Sequence, residues 1–221
     1  MTAEEIEIYK QDEKQAILQF VCNEETDANA DMFQARLTAM SFDNMPDFHK
    51  MINLYGANGT CLDIGANYGS QYYSMKVNCP TVEWIGCEIA PQFITRFRER
   101  AAEGENPTIH QVDDYKSLPF ENNSFDVVTS KSAHRHYSPE HGFAMIDEML
   151  RVAKKAVVIQ FFAAIELDED LYSKPKSEIV GSKGMLVEWS KPKWDEYIAD
   201  KNVIAANNTN RLFVFLKETP E

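Results

Sequence analysis

The segment Cys61-Leu62-Asp63-Ile64-Gly65-Ala66-Asn67-Tyr68-Gly69 constrains this chain more than any other, because an apolar run ends there in a glycine-punctuated turn and gives way to a helical pattern. Gly65 suits a tight turn at the end of a strand. Gly69 lets backbone lie close to whatever rests above it, since neither residue carries a Cβ. Such a loop on its own is equally compatible with an ordinary strand-to-helix turn. Glu88 adds the second constraint: it ends the next apolar run, Val82-Glu83-Trp84-Ile85-Gly86-Cys87. An acid about 20 residues after a glycine loop is placed to hydrogen-bond ribose hydroxyls, so the pair points to a nucleotide-like cofactor.

Around this pair the chain alternates short apolar runs with helical ones. Strands are predicted near 60–64, 82–88, 108–112, 125–130 and 156–162, and helices near 69–76, 91–103, 139–153 and 191–201. Pro91 suits a first helical position, and Phe93, Ile94, Phe97 and Ala101 share one face of the helix it opens. Strand and helix in series imply right-handed crossovers and a doubly wound, Rossmann-like, mostly parallel sheet that binds ligands at its carboxyl edge. Gly65, Glu88, Asp114 and Ser130 project at that edge. The runs Val203–Ala206 and Leu212–Leu216 flank the polar turn Asn207-Asn208-Thr209-Asn210, so they form a hairpin that completes seven strands and leaves the last one antiparallel.

The first 56 residues read differently. Apolar stripes at Ala16, Ile17, Phe20 and Val21 and at Phe48, Met51, Ile52 and Tyr55 predict amphipathic helices, joined by the polar stretch Asn23 to Asp31. We therefore divide the chain into an N-terminal helical lid, 1–56, and a ligand-binding domain, 57–221.

At 221 residues and 44% apolar, the chain is long enough for one well-packed domain. No apolar run approaches a membrane span, and the acidic start Met1-Thr2-Ala3-Glu4-Glu5 is unlike a secretory signal, so a cytoplasmic protein is expected. Cys22, Cys61, Cys79 and Cys87 show no metal-ligand spacing, and no metal site is expected. A net charge of −13 repels a phosphate backbone, which argues against nucleic acid as a partner. Nothing in the pattern specifies an oligomeric state.

From Thr60 to Phe162 the sequence resembles the class I S-adenosylmethionine-dependent methyltransferases, and within them the small ubiquinone-biosynthesis-like branch. Leu62–Gly69 resembles the family's first motif and Ile85-Gly86-Cys87-Glu88-Ile89-Ala90-Pro91 its second. Leu118-Pro119-Phe120 with Asn123–Val128 resembles the fourth-strand signature, and Glu148–Val152 the helix before strand five. The resemblance implies S-adenosyl-L-methionine as cofactor. Asp63 would orient the loop and reach the cofactor's amino group, while Gly65, Asn67 and Gly69 would border its methionine portion. Glu88 would take the ribose hydroxyls, and Ile89 would lie against the adenine. Asp114 would accept from the adenine amino group with Tyr115 behind it, and Ser130 and Lys131 would sit near the methionine carboxylate. Asn67 stands where a glycine is usual; it tolerates left-handed backbone but carries a side chain.

Methyl transfer from a sulfonium needs alignment and, for a protonated acceptor, a base. His134 and His136 follow strand four at the point where the methyl would emerge, and histidine titrates near neutrality. Either one is a candidate base; either one equally suits a loop-holding role. The leading expectation is an enzyme that methylates a small-molecule acceptor, with 1–56 and 163–190 as walls over it. A protein acceptor, a non-catalytic accessory or sensor protein that binds S-adenosylmethionine or S-adenosylhomocysteine, and a dinucleotide-dependent oxidoreductase are the alternatives.

Overall fold

The structure is a computed structural model that describes residues 46–101, 104–131, 133–137, 139–160, 191–206 and 212–217. The expected stripe at 16–21, Cys22 and the proposed wall 163–190 lie outside the described residues.

Seven strands form one sheet in the order β3-β2-β1-β4-β5-β7-β6. They are β1 Thr60–Ile64, β2 Glu83–Glu88, β3 Thr108–Gln111, β4 Phe125–Lys131, β5 Ala153–Gln160, β6 Val203–Ala205 and β7 Leu212–Leu216. The pairs from β3 through β5 are parallel, and β7 runs antiparallel to both β5 and β6, as the hairpin pattern predicts. Because β1 lies centrally while β2 and β4 leave it in opposite directions, strand order reverses at β1, the position where a sheet of this kind opens a ligand crevice.

Side chains alternate across the strands and build two apolar layers. On one face α1 (Pro46–Gly56), α2 (Ser70–Asn78) and α3 (Pro91–Arg100) cover Cys61, Val127, Ala156 and Val158. On the other α4 (Pro139–Val152) and α5 (Lys191–Ile198) cover Leu62, Ile64, Val128 and Val157. Phe97 and Met145, one from each layer, are both fully buried, and burying a side chain of this size stabilises the fold by about 1.5–3 kcal/mol.

Two boundaries depart from the sequence pattern. β5 starts at Ala153, directly after α4, rather than at 156; Met149, Val152 and Ala153 are all fully buried, so apolar periodicity cannot separate helix from strand there. The partner strand decides it, since Phe125 pairs with Ala153 and the register then shifts before Val127. The helix α1, assigned with the lid from sequence, has Phe48 and Ile52 buried in the sheet's own core. Asp126 is structural, accepting from the Thr60 N–H at 3.0 Å and pairing with Lys155 at 2.9 Å.

Candidate functional site

At the carboxyl end of β1 the backbone turns left-handed three times in five residues, at Gly65 (φ 73°), Asn67 (φ 50°) and Gly69 (φ 79°). The N–H groups of Gly65 and Ala66 both donate to the Cys87 carbonyl at 3.0 Å, which pulls the loop across the end of β2. Gly69 then caps α2 without a side chain. The glycines serve different neighbours. A Cβ on Gly65 would stand 2.5 Å from the Cβ of Ala133, in the short 3-10 turn Ala133–His136 after β4, and 3.7 Å from the Tyr115 hydroxyl. A Cβ on Gly69 would stand 2.1 Å from the Phe97 ring, so its bare face, expected from sequence to meet a ligand, admits α3 instead.

Glu88 ends β2 and is 4% exposed. One carboxylate oxygen accepts the Asn67 N–H at 2.9 Å; the other accepts those of Ile89 and Ala90 at 2.8 and 3.0 Å and the Tyr115 hydroxyl at 3.2 Å. Burial raises its pKa, against the pull of these donors toward the ionised form. The structure thus brings Asn67, Glu88, Ile89 and Tyr115 into one hydrogen-bonded cluster beside Gly65.

The remaining sequence-predicted residues occupy three neighbouring groups. Asp63 is buried within β1, where the Trp84 indole donates to it at 3.2 Å and Thr129 at 3.4 Å. Burial pushes its carboxyl up to about 7, restrained by Trp84, Lys131 and Thr129. Lys131, the last residue of β4, is brought down to about 8 by burial, restrained by Asp63. Asp114 accepts the Lys116 N–H at 2.9 Å and faces His141 of α4 at 3.4 Å, so its carboxylate is held by a turn and a helix. Ser130 and His134 are both fully buried, with Ser130 Oγ 3.1 Å from His134 Nδ1. His136 closes the same 3-10 turn; its side chain lies outside the described residues.

Sequence reasoning placed Tyr115 behind Asp114 but did not foresee what its side chain touches. Its ring is buried against Tyr137, with centroids 6.2 Å apart, and its hydroxyl reaches Glu88. Gln71, in the first turn of α2, was missed as well. It is 3% exposed, and neither its side-chain nitrogen nor its side-chain oxygen has a hydrogen-bond partner. The sequence carried no signal for it, because a glutamine in a helical pattern reads as solvent-facing. Among the described residues no group of His, Cys, Asp and Glu is arranged to hold a metal, and no helix is long and apolar enough to cross a membrane.

Residues 61–156 match the methyltransferase domain family. A demethylmenaquinone methyltransferase from Deinococcus radiodurans is 26% identical over 101 residues, which cover 45% of this chain and 42% of that protein. The matched segment therefore spans less than half the length of that relative. Among solved structures, the PH0226 protein from Pyrococcus horikoshii OT3 is similar with a TM-score of 0.60 and 17% identity, covering 81% of this chain and 95% of the other. Magnesium protoporphyrin IX methyltransferase from Synechocystis PCC 6803, solved with bound SAH, has a TM-score of 0.55 and 16% identity over 84% of each chain. At such identities the likeness is one of fold. With the family match over β1 to β5 and a glycine loop at the point where strand order reverses, residues 61–156 are similar to a methyltransferase domain.

Proposed function

We propose that this protein transfers a methyl group from S-adenosylmethionine to a small-molecule acceptor. The observation that carries the reading is the Glu88 carboxylate, anchored at the end of β2 and tied to the glycine loop through the Asn67 N–H. The residues present fit the cofactor: Glu88 offers two acceptor oxygens for a diol, Ile89 supplies a buried apolar surface beside it, and the Gln71 amide is a buried polar group without a partner. When bound, the cofactor supplies a methyl already activated by the sulfonium, and the group that leaves is a neutral thioether.

The protein's share is placement. Glu88 would hold the ribose, and Gly65 and Asn67 would border the methionine portion. Asp114 would accept from the adenine amino group beside Tyr115, while Asp63 would orient the loop from below. Ser130 and His134 would fix the turn after β4, leaving His136 as the candidate base for an acceptor that must lose a proton. The N-terminal segment and the wall 163–190 would cover the acceptor, with α1 as the segment's packed end. The Deinococcus relative makes quinone-like aromatic rings the first acceptor class to try.

One observation favours a second reading, a binding module without turnover: both Glu88 oxygens and the buried Ser130 and His134 already have partners within the chain. Incubation with methyl-labelled S-adenosylmethionine and an acceptor panel separates the two. Label appearing in an acceptor supports the enzyme; one-to-one binding with no transfer across the panel supports the module.

A further inference from the structure

A buried amide with no partner costs stability in the empty protein, and its presence calls for a physical reason. Gln71 is such a group. It lies three residues before Ser74 on α2, hence on the same side of that helix and one turn nearer its N-terminus. Ser74 Oγ is 2.8 Å from His49 Nε2 of α1, so this side of α2 faces the cleft between α1 and α2 rather than solvent. Asp63 and Thr129 lie on the sheet face that these helices cover, since Cys61 and Val127 of the same strands pack in that layer and side chains alternate along a strand. α2 begins at the carboxyl edge, is capped by Gly69 with no side-chain hydrogen bond, and so presents its first N–H groups and its positive dipole end there.

The chemistry of an amide narrows what completes it. Two N–H donors and one carbonyl acceptor on a single planar group match a ligand that carries an anion and a cation side by side, and the helix end favours the anion. An α-amino acid has that arrangement.

We propose that Gln71 is a positioning residue for the amino-acid end of the cofactor, its amide N–H donating to the carboxylate beside the first turn of α2 and its carbonyl accepting from the ammonium. This rests on the cofactor reading above and deepens it. It gives the site a means of distinguishing an adenosyl amino acid from an adenosyl thioether that lacks one.

The test is a cycle of calorimetric titrations. Wild-type protein and the Gln71→Met variant, which keeps the side-chain length and removes the amide, are each titrated with S-adenosylhomocysteine and with its analogue lacking the carboxylate. Wild-type protein should bind the analogue about 10-fold more weakly, and Gln71→Met should lose about 10-fold for S-adenosylhomocysteine but show no further loss for the analogue, which is the non-additivity expected of two groups that touch. The unliganded variant should melt at the wild-type temperature or above, because an unpaired amide has left the interior. Equal losses for both ligands, or unchanged S-adenosylhomocysteine binding in the variant, would overturn the proposal. If wild-type protein bound neither ligand, the cofactor reading would fall first and this assignment with it. Should Gln71→Met not fold, the wild-type comparison alone decides: equal affinity for the two ligands overturns carboxylate recognition at this site.

Discussion

The Tyr115 hydroxyl donates to the Glu88 carboxylate at 3.2 Å and stands 3.7 Å from where a Cβ on Gly65 would lie, so it occupies one of the two acceptor oxygens assigned to a ribose. Under the proposed function, Tyr115 would compete with the ribose for that oxygen. Removing the hydroxyl leaves the ring packing intact and takes one of three donors from that oxygen, which keeps the Ile89 and Ala90 N–H groups. Tyr115→Phe should tighten S-adenosylhomocysteine binding several-fold, because a typical hydrogen bond contributes about 0.5–1.5 kcal/mol net, and should lower unliganded stability by a similar amount. Calorimetry and chemical denaturation measure the two effects; weaker binding in the variant would make the hydroxyl a ligand contact instead.

Glu88 has a structural task besides the ribose contact proposed for it. Its oxygens satisfy the N–H groups of Asn67, Ile89 and Ala90, and an unsatisfied buried donor costs about 1–3 kcal/mol. Glu88→Ala should accordingly lose stability as well as affinity. Glu88→Gln, which keeps one acceptor oxygen, should be the milder change in denaturation while still binding cofactor more weakly than wild type. Equal stability of wild type and Glu88→Ala would remove the loop-holding role.

Gly69 tests whether a motif glycine serves the ligand or the packing. Gly69→Ala combines a left-handed backbone penalty of about 1–2 kcal/mol with overpacking against Phe97 of about 1–3 kcal/mol. Phe97→Leu in the same chain should recover part of the overpacking share. Melting curves of the single and double variants read this directly, and a double variant no better than the sum of its parts would separate Gly69 from Phe97.

The buried Asp63 carboxyl gives the protein a pH signature. Its pKa is pushed up from 3.8 to about 7 by burial, so between those values the folded chain keeps a proton that the unfolded chain releases, and this group makes stability fall as pH rises. Lys131, lowered from 10.5 to about 8, acts in the opposite sense above pH 8: there the unfolded chain holds the extra proton, and stability rises with pH. Asp63→Asn keeps an acceptor for the Trp84 indole and removes the titration. Its stability, measured by denaturant from pH 4 to 7, should lack the falling contribution; curves parallel to wild type would contradict the assignment.

What could be read from the residues in order was what lies close along the chain. The strand and helix alternation gave the parallel sheet, and the tail hairpin gave the antiparallel β7. Glu88 was legible because a strand end and a glycine loop fall at a fixed interval. Contacts between residues distant in sequence were not legible. Gly69 answers to Phe97, Tyr115 to Glu88, and the start of β5 to Phe125, and none of these pairings leaves a periodic trace. Gln71 was passed over because a glutamine in a helix looks like a solvated residue until its neighbours are placed. His134 and His136 were both read as candidate bases; both lie in the 3-10 turn after β4, and the His134 side chain is fully buried beside Ser130.

The claim that the glycine loop and Glu88 form an S-adenosylmethionine site is tested most directly by titrating the wild-type protein in parallel with S-adenosylmethionine, S-adenosylhomocysteine and a nicotinamide dinucleotide. Saturable one-to-one binding of both adenosyl ligands, and none of the dinucleotide, is the expected result. Saturable binding of the dinucleotide alone, or of none of the three, would contradict it.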